Sequence, residues 1–144
     1  MRPAARRPAA RRTRTRTHTH NTHTHNTRTV ARRYEVLRRE DIPPVACPCG
    51  QARRAFGKTG CPASVHWVEI RRDAVAHWHA RQTEIYVVLK GRGWLEIDGD
   101  RVPLGPGTAV WIQPGARHRA RGRLTLLNVV VPSFDPRDEH LVAD

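Results

Sequence analysis

Two histidines separated by one residue, with a glutamate five positions later, are the side chains of this sequence best suited to chemistry. They are His77, His79 and Glu84, in the stretch HWHARQTE. On a β-strand, side chains at i and i+2 lie on one face, so both imidazoles are expected to point the same way. Residues 80–83 suffice for a tight turn that returns Glu84 to that face. A polar hairpin loop is the alternative interpretation.

A third imidazole strengthens the metal interpretation of these residues. His118 follows a turn at Pro114-Gly115, and with the first two histidines and Glu84 it gives three nitrogen ligands and one carboxylate. Such a set binds divalent first-row metals and leaves positions open for water, O2 or substrate. Histidines on strands are often only satisfied polar residues, so the prediction depends on the combined spacing. Tyr86 and Asn128 are further candidates to line the same cavity.

The elements that must position these residues are short β-strands. Apolar runs alternate with turn signals, and no long stretch has helical periodicity, which indicates an all-β sandwich or closed barrel. Asp98-Gly99 is a strong signal for a two-residue hairpin. The predicted strands cover residues 65–70, 75–79, 84–89, 93–98, 101–104, 108–112, 117–120 and 124–131.

The segment 71–118 resembles the two sequence motifs of the cupin superfamily. The first family motif is Gly, five residues, His-x-His, three or four residues, Glu, six residues, Gly. His77, His79, Glu84 and Gly91 match it, whereas Arg71 stands in place of the leading Gly. That departure affects a turn and not a ligand position.

The second family motif is Gly, five residues, Pro-x-Gly, two residues, His, three residues, Asn. Gly107, Gly115 and His118 match it, while Gln113 replaces the Pro and Gly122 replaces the Asn. The resemblance, supported from residue 65 to 131, implies a small single-domain type-2 cupin. Its fold would be a double-stranded β-helix, a jelly-roll barrel of six to eight strands.

The resemblance also implies four metal ligands: His77, His79, Glu84 and His118. The expected ion is a divalent transition metal (Fe, Mn, Ni or Zn). A small-molecule metalloenzyme of the dioxygenase, isomerase, epimerase or decarboxylase class follows as the main hypothesis, with Glu84 as a ligand that could also accept a proton. A non-catalytic cupin that binds a small molecule is the alternative, because one fold hosts many functions.

Charge divides the chain into a basic tail and a nearly neutral remainder. The 144 residues contain 26 Lys and Arg against 13 Asp and Glu, yet residues 1–33 hold ten arginines and no acid. This tail alternates Thr with Arg, His or Asn and is expected to be disordered. It could associate with nucleic acid through its charge. Translated simple-sequence DNA, with a true start near Val30, is the competing hypothesis.

The rest of the chain is expected to consist of an irregular arm (34–62), the barrel (63–134) and a C-terminal tail (135–144). The sequence has no apolar run long enough to span a membrane, and three cysteines, an odd number, fit a reducing, cytoplasmic location. Cys47 and Cys49 are too close in sequence for a good disulfide. Arg53-Arg54 is either an exposed charged pair or a site for an anionic substrate. Trp78 is expected on the outer surface, where a homodimer contact is a further expectation.

Overall fold

The computed structural model describes residues 33–143, and their fold is all-β. Two short 3-10 turns, Arg39–Asp41 and Pro136–Asp138, accompany the strands. The strands are β1 Val45–Cys47, β2 Gly50–Ala55, β3 Ser64–Ile70, β4 His77–His79, β5 Thr83–Ile97, β6 Asp100–Leu104, β7 Ala109–Ile112, β8 His118–Val131 and β9 Glu139–Leu141. The architecture confirms the predicted all-β, jelly-roll class.

The two longest strands, β5 and β8, form the centre of the sheet. They pair antiparallel from Thr83–Val131 at one end to Ile97–His118 at the other. On its other side β5 pairs with β7 and then with β6, while β8 pairs with β3 and, at His118, with β4. The sheet continues from β3 through β2 to β1, and from β4 to β9. All strands of the described residues thus join one curled sheet, whose concave side encloses the core.

Strand alternation decides which side chains enter this core. On β3, every second residue from Ser64 to Ile70 is buried, and β8 follows the same pattern from Leu124 to Val130. The central part of the core is apolar and includes Leu95, Leu104, Ile112, Leu124 and Leu126. Towards the Ser64 end of β3, the inward positions become polar.

The predicted hairpin at Asp98-Gly99 is present between β5 and β6. Asp98 has φ = 48° and Gly99 has φ = 94°. Positive φ at both central residues is the signature of a type I′ turn, whose twist matches that of the flanking strands. The dipeptide therefore fixes the register in which Ile97 pairs with Asp100.

Replacing Gly99 by alanine is expected to lower the free energy of unfolding by about 1–2 kcal/mol, because a Cβ disfavours positive φ. The added methyl group meets no atom within 4 Å, so conformational strain is the only cost. Gly57→Ala is the matched control, since Gly57 is also open to solvent and has no positive φ. Denaturant unfolding of both variants checks the prediction, and equal stability of the two would contradict it.

Two pairs of predicted strands are continuous in the structure. The predicted strands 84–89 and 93–98 both fall on β5, which ends at Ile97, and the predicted strands 117–120 and 124–131 both fall on β8, which begins at His118. A bulge between Val88 and Lys90 lets β5 bend without ending. Gly91 has φ = 91°, and a Cβ there would lie 2.0 Å from the Arg123 carbonyl oxygen. Gly91 therefore permits the close approach of β5 and β8 and does not mark a chain reversal.

The predicted arm and C-terminal tail need correction, because both contribute strands. Within residues 34–62, β1 and β2 form a hairpin that extends the sheet beside β3. Within residues 135–144, β9 pairs with β4 from His77–Leu141 to His79–Glu139. The hypotheses about the basic tail fall on residues 1–32, outside the described residues, apart from Arg33. In residues 33–143, no helix has the length and apolar character required to cross a bilayer.

Candidate metal centre

Strand β4 presents His77 and His79 to the interior, as their spacing predicts. Both imidazoles are buried, with 1% and 3% of their surface exposed. Trp78 points the other way and stacks on His140 of β9, with ring centroids 4.3 Å apart. It thus packs on the outer side of the sheet.

Glu84 and His118 reach the same point from two other strands. His118, the first residue of β8, pairs directly with His77 across the sheet. Glu84 follows the short loop after β4 and faces inward from β5, with 4% of its surface exposed. The structure therefore brings together all four side chains that the sequence selects as ligands.

Distances within the cluster are those of a shared centre. Glu84 Oε2 lies 2.9 Å from His118 Nε2 and 3.5 Å from His79 Nε2. The ring centroids of His77 and His118 are 4.4 Å apart. One nitrogen from each of these two histidines and one Glu84 oxygen all lie within 4.8 Å of one another, close enough to hold a metal ion.

Backbone carbonyl groups fix the orientation of all three imidazoles. The Nδ1 atoms of His77, His79 and His118 each lie 3.0 Å from a carbonyl oxygen, on Val75, Asp138 and Ala116 respectively. A carbonyl only accepts, so each Nδ1 must carry the hydrogen. In the neutral ring each Nε2 is then a lone-pair donor directed at the centre, which is the arrangement that metal-binding histidines require.

The polar atoms left without partners fit a metal ion. His79 Nε2 is buried without a hydrogen-bond partner, and Glu84 Oε2 is buried with only the imidazoles of His118 and His79 beside it, at 2.9 and 3.5 Å. Orphaned buried groups are costly, since each loses its hydration without compensation. A divalent cation would satisfy both atoms at once, and two or three imidazoles with one carboxylate are suitable ligands for it.

The charge states of Glu84 and His77 agree with this assignment. Burial alone would raise the pKa of Glu84, but the hydrogen bond and charge of His118 outweigh it and lower that pKa to about 2. Burial and the charge of His118 lower the pKa of His77 to about 4. Burial also acts to lower the pKa of His118, yet the contact with Glu84 raises it overall. The carboxylate is thus ionised and His77 neutral at ordinary pH, the forms that bind metal.

Tyr86 and Asn128, the two cavity candidates, both point inward next to the cluster. They are register partners on β5 and β8. Asn128 Nδ2 donates to Glu84 Oε1 at 2.6 Å, and the Tyr86 hydroxyl lies 3.4 Å from His118 Nε2. Burial, with the nearby Cys49 and Glu84, raises the pKa of Tyr86 well above its usual value. Its hydroxyl therefore remains protonated and available as a donor.

Asn128→Ala is expected to weaken metal binding by about 10- to 100-fold, the usual cost of losing a group that orients a metal ligand. Without the amide, Glu84 keeps its charge but loses the bond that holds its Oε1. Competition with a fluorescent chelator measures the change. Thr125→Ala is the control, because Thr125 lies on the outer face of the same strand. Unchanged affinity in Asn128→Ala would contradict the assignment.

Sequence reasoning missed two acids from the C-terminal segment. The Asp138 carboxylate, 3% exposed, accepts hydrogen bonds from the backbone N–H groups of residues 80, 81 and 82, the loop between His79 and Glu84. Glu139 lies close enough to His77 and His79 to form a second group of potential ligands. Burial raises the pKa of Glu139. Nothing local in the sequence signals either role, because both depend on the pairing of β9 with β4.

The structure also gives the positions of the three cysteines and of Arg53 and Arg54, which the sequence analysis considered as possible functional residues. All three cysteines are free, and among residues 33–143 no group of potential metal ligands includes one. Cys49 is buried with its Sγ 3.8 Å from the Tyr86 hydroxyl. Arg53 and Arg54 do not form an exposed pair. Arg53 bonds the Ile42 carbonyl oxygen, whereas Arg54 turns to the opposite face of β2.

Comparisons with known proteins agree with the all-β, jelly-roll fold. The family model of the cupin domain matches residues 65–129. A protein of Aquifex aeolicus is 35% identical over 74 residues, which make up 49% of this chain and 61% of that relative, less than two thirds of its length.

Two solved structures are similar over longer stretches. The crystal structure of a protein from Planctomyces limnophilus is 42% identical, with a TM-score of 0.71, over 74% of this chain and 96% of that one. Pac13 of Streptomyces, described as a nucleoside dehydratase, is 21% identical, with a TM-score of 0.69, over 76% of this chain and 91% of its own. At that identity the likeness shows the fold alone.

Proposed function

The chain belongs to the cupin superfamily, and from this premise we propose that it is a metal-dependent enzyme that acts on a small molecule. We assign the ligands as His77, His79, Glu84 and His118. The ion would be a divalent transition metal, with Fe, Mn, Ni and Zn as the candidates.

The observation that carries this proposal is the set of orphaned atoms at the centre of the cluster. In the neutral ring, each of the three imidazoles presents an Nε2 lone pair, because a backbone carbonyl binds the opposite nitrogen. His79 Nε2 has no hydrogen-bond partner, and the atoms beside Glu84 Oε2 belong to two other candidate ligands, His118 at 2.9 Å and His79 at 3.5 Å. A histidine cluster that served only packing would be expected to satisfy these atoms with protein groups.

A bound metal would supply Lewis acidity to a substrate oxygen at this point. The surrounding residues have roles that follow from their own contacts. Asn128 fixes one oxygen of Glu84, so the other oxygen faces the centre. The Tyr86 hydroxyl remains protonated and lies beside His118, where it can donate a hydrogen bond to a ligand in the cavity.

Glu84 is proposed as a metal ligand first and as a proton acceptor second. Its low pKa, about 2, keeps the carboxylate ionised, which suits ligation. The same low value makes it a weak base while His118 remains its neighbour. A catalytic role for Glu84 therefore requires that the carboxylate first lose that contact, and it stays a prediction.

The proposed reaction belongs to one of the classes dioxygenase, isomerase, epimerase or decarboxylase. The fold does not choose among them, because cupin-like barrels host different chemistries. The nucleoside dehydratase of similar fold has too little sequence in common with this chain for its substrate to be carried over.

A metabolite extract offers a test in which the substrate need not be identified beforehand. Metal-loaded protein and the His118→Ala variant are incubated with the extract, which is then compared by mass spectrometry. An enzyme depletes one metabolite and yields product in excess over the protein, in the wild type alone. If the metal-loaded wild type forms no product, the enzymatic assignment is overturned.

A non-catalytic binding cupin is the alternative outcome of the same experiment. It predicts that one metabolite is retained unchanged, in at most a 1:1 ratio to the protein, and is recovered on denaturation. Catalysis and binding are thus separated by stoichiometry.

Two expectations about partners stay predictions. Association with nucleic acid concerns residues 1–33, of which only Arg33 lies in the described part of the chain. A homodimer would suit the outer face of β5 and β7, where Ile85 pairs with an exposed Trp111. The cytoplasmic location also stays a prediction.

A further inference from the structure

A cavity of about 450 Å³ lies at the Ser64 end of β3, beside the polar part of the barrel interior. Its charged and aromatic lining consists of Arg54, Lys58, His66, Phe56 and Phe134. The lining contains no aspartate or glutamate. The volume falls within the range of small-molecule sites, and the balance of charge favours an anion.

Arg54 is the cation best placed to bind that anion. It is the register partner of His66 on the next strand, and its guanidinium lies over the Phe134 ring at 4.0 Å. Among residues 33–143 it has no ion pair or hydrogen bond, and its Nε is buried without a partner. An arginine held flat by an aromatic ring with its N–H groups unused is arranged for a carboxylate or phosphate.

His66 adds a second donor to the same cavity. Ser64 Oγ lies 3.0 Å from His66 Nε2 and accepts the backbone N–H of Phe134, also at 3.0 Å. When the Ser64 hydroxyl donates to Nε2, the neutral ring carries its hydrogen on Nδ1 and can donate it to a ligand. Burial and the charge of Arg54 lower the pKa of His66 to about 4, so the ring is neutral at ordinary pH.

One row of paired residues in the sheet connects the cavity lining with the candidate metal centre. His66 is the register partner of Asn128, whose amide binds Glu84. Adjacent strands lie about 4.8 Å apart, so the spacing of about two strands separates His66 from the strand that carries Glu84. The positive charge of Arg54 acts to lower the pKa of Glu139, but Glu139 does not line the cavity.

We propose that this cavity binds the charged group of a small organic anion, with Arg54 as its counter-charge and His66 as a second donor. The rest of that molecule points towards the metal centre. This assignment rests on the proposed function, since it names the class of substrate for the same barrel interior.

Isothermal titration of the metal-loaded protein with three probes tests the assignment. Benzoate and phenyl phosphate carry the anionic group, and benzamide is the neutral analogue. We expect at least one anion to bind and benzamide not to. Arg54→Met, which keeps much of the stem over Phe134, is expected to weaken anion binding by about 10- to 100-fold, and Arg54→Lys by less.

Arg101→Met is the matched control, because Arg101 also stacks on an aromatic ring, that of Trp94 at 3.8 Å, on the far hairpin. It removes the same charge and is expected to leave anion binding unchanged. The proposal is overturned if neither anion binds, if benzamide binds as tightly as benzoate, or if Arg54→Met binds benzoate like the wild type. The last result would show that Arg54 is not the counter-charge of the anion.

Metal content, measured on the same samples, keeps the two proposals separate. A protein without metal whose benzoate binding depends on Arg54 would contradict the metal assignment and leave the anion cavity standing. A metal-loaded protein whose benzoate binding ignores Arg54 would do the reverse.

Discussion

His77→Ala is expected to abolish the binding of metal by the folded domain. The wild type should carry about one ion per chain more than the variant, because the remaining ligands lose an oriented imidazole at the centre of the cluster. His77 contacts both His79 and His118. Elemental analysis of untagged protein measures the ratio, and His118→Ala should give the same loss.

The control for these variants is His140→Ala. His140 is also a histidine of the sheet, but it stacks on Trp78 at the outer side of β4. The tail also contains histidines, between residues 18 and 25, which could retain metal. Their contribution is the same in every variant and cancels in the difference. A His77→Ala protein that is folded by circular dichroism and keeps its metal would contradict the ligand assignment.

Asp138→Ala is expected to lower the free energy of unfolding by about 3–5 kcal/mol. The Asp138 carboxylate accepts three backbone N–H groups of the loop after β4, at 2.9–3.2 Å. Alanine leaves the buried N–H of Gln82 and the part-buried N–H groups of residues 80 and 81 without this partner. Denaturant unfolding, monitored by tryptophan fluorescence in the presence of a chelator, measures the loss without a contribution from metal.

Acid pH gives this prediction a second readout. Burial would raise the pKa of Asp138, but its hydrogen bonds to the backbone lower it overall. A carboxyl group with a depressed pKa stabilises the fold above the unfolded pKa, about 3.9, and that stabilisation is lost as the pH falls through the folded pKa. The stability difference between wild type and Asp138→Ala should therefore shrink below about pH 4.

Asp73→Ala is the matched control for the Asp138 variant. Asp73 also forms an ion pair, with Arg121 at 2.8 Å, but about half of its side chain is exposed. Its loss is expected to cost less than about 1 kcal/mol. If both variants lost the same stability, the buried loop contacts would not have the importance proposed for them.

Most of the barrel could be predicted from strand periodicity and turn chemistry. The Asp98-Gly99 hairpin and the inward positions of β3 and β8 follow from residue types alone. The continuity of the two long strands, β5 and β8, could not be predicted in the same way. Glycine is a residue type typical of turns, and only the close approach of the Arg123 carbonyl group from β8 shows that strand β5 continues through Gly91.

The strands near both ends of the described residues, β1 and β9, were not predicted, for a related reason. Residues 45–47 and 139–141 are too short for a periodic signal. They become strands because an edge of the sheet offers them hydrogen-bond partners, β2 for residues 45–47 and β4 for residues 139–141.

By itself the sequence predicted the ligand set of the candidate centre. Strand alternation and one short turn place His77, His79 and Glu84 on the same face, whereas His118 joined the set through its turn and its position in the second cupin-like motif. Strand alternation is local, so it applies whatever the arrangement of the distant strands.

Only the tertiary structure decided how these ligands are held and what lies beside them. The tautomer of His79 depends on a carbonyl group 59 residues away, at Asp138. The inward position of Arg54 depends on its register with β3, and its contact with Phe134 depends on the chain after β8. Contacts between distant segments form only when the sheet closes, and for that physical reason they leave no pattern in the sequence.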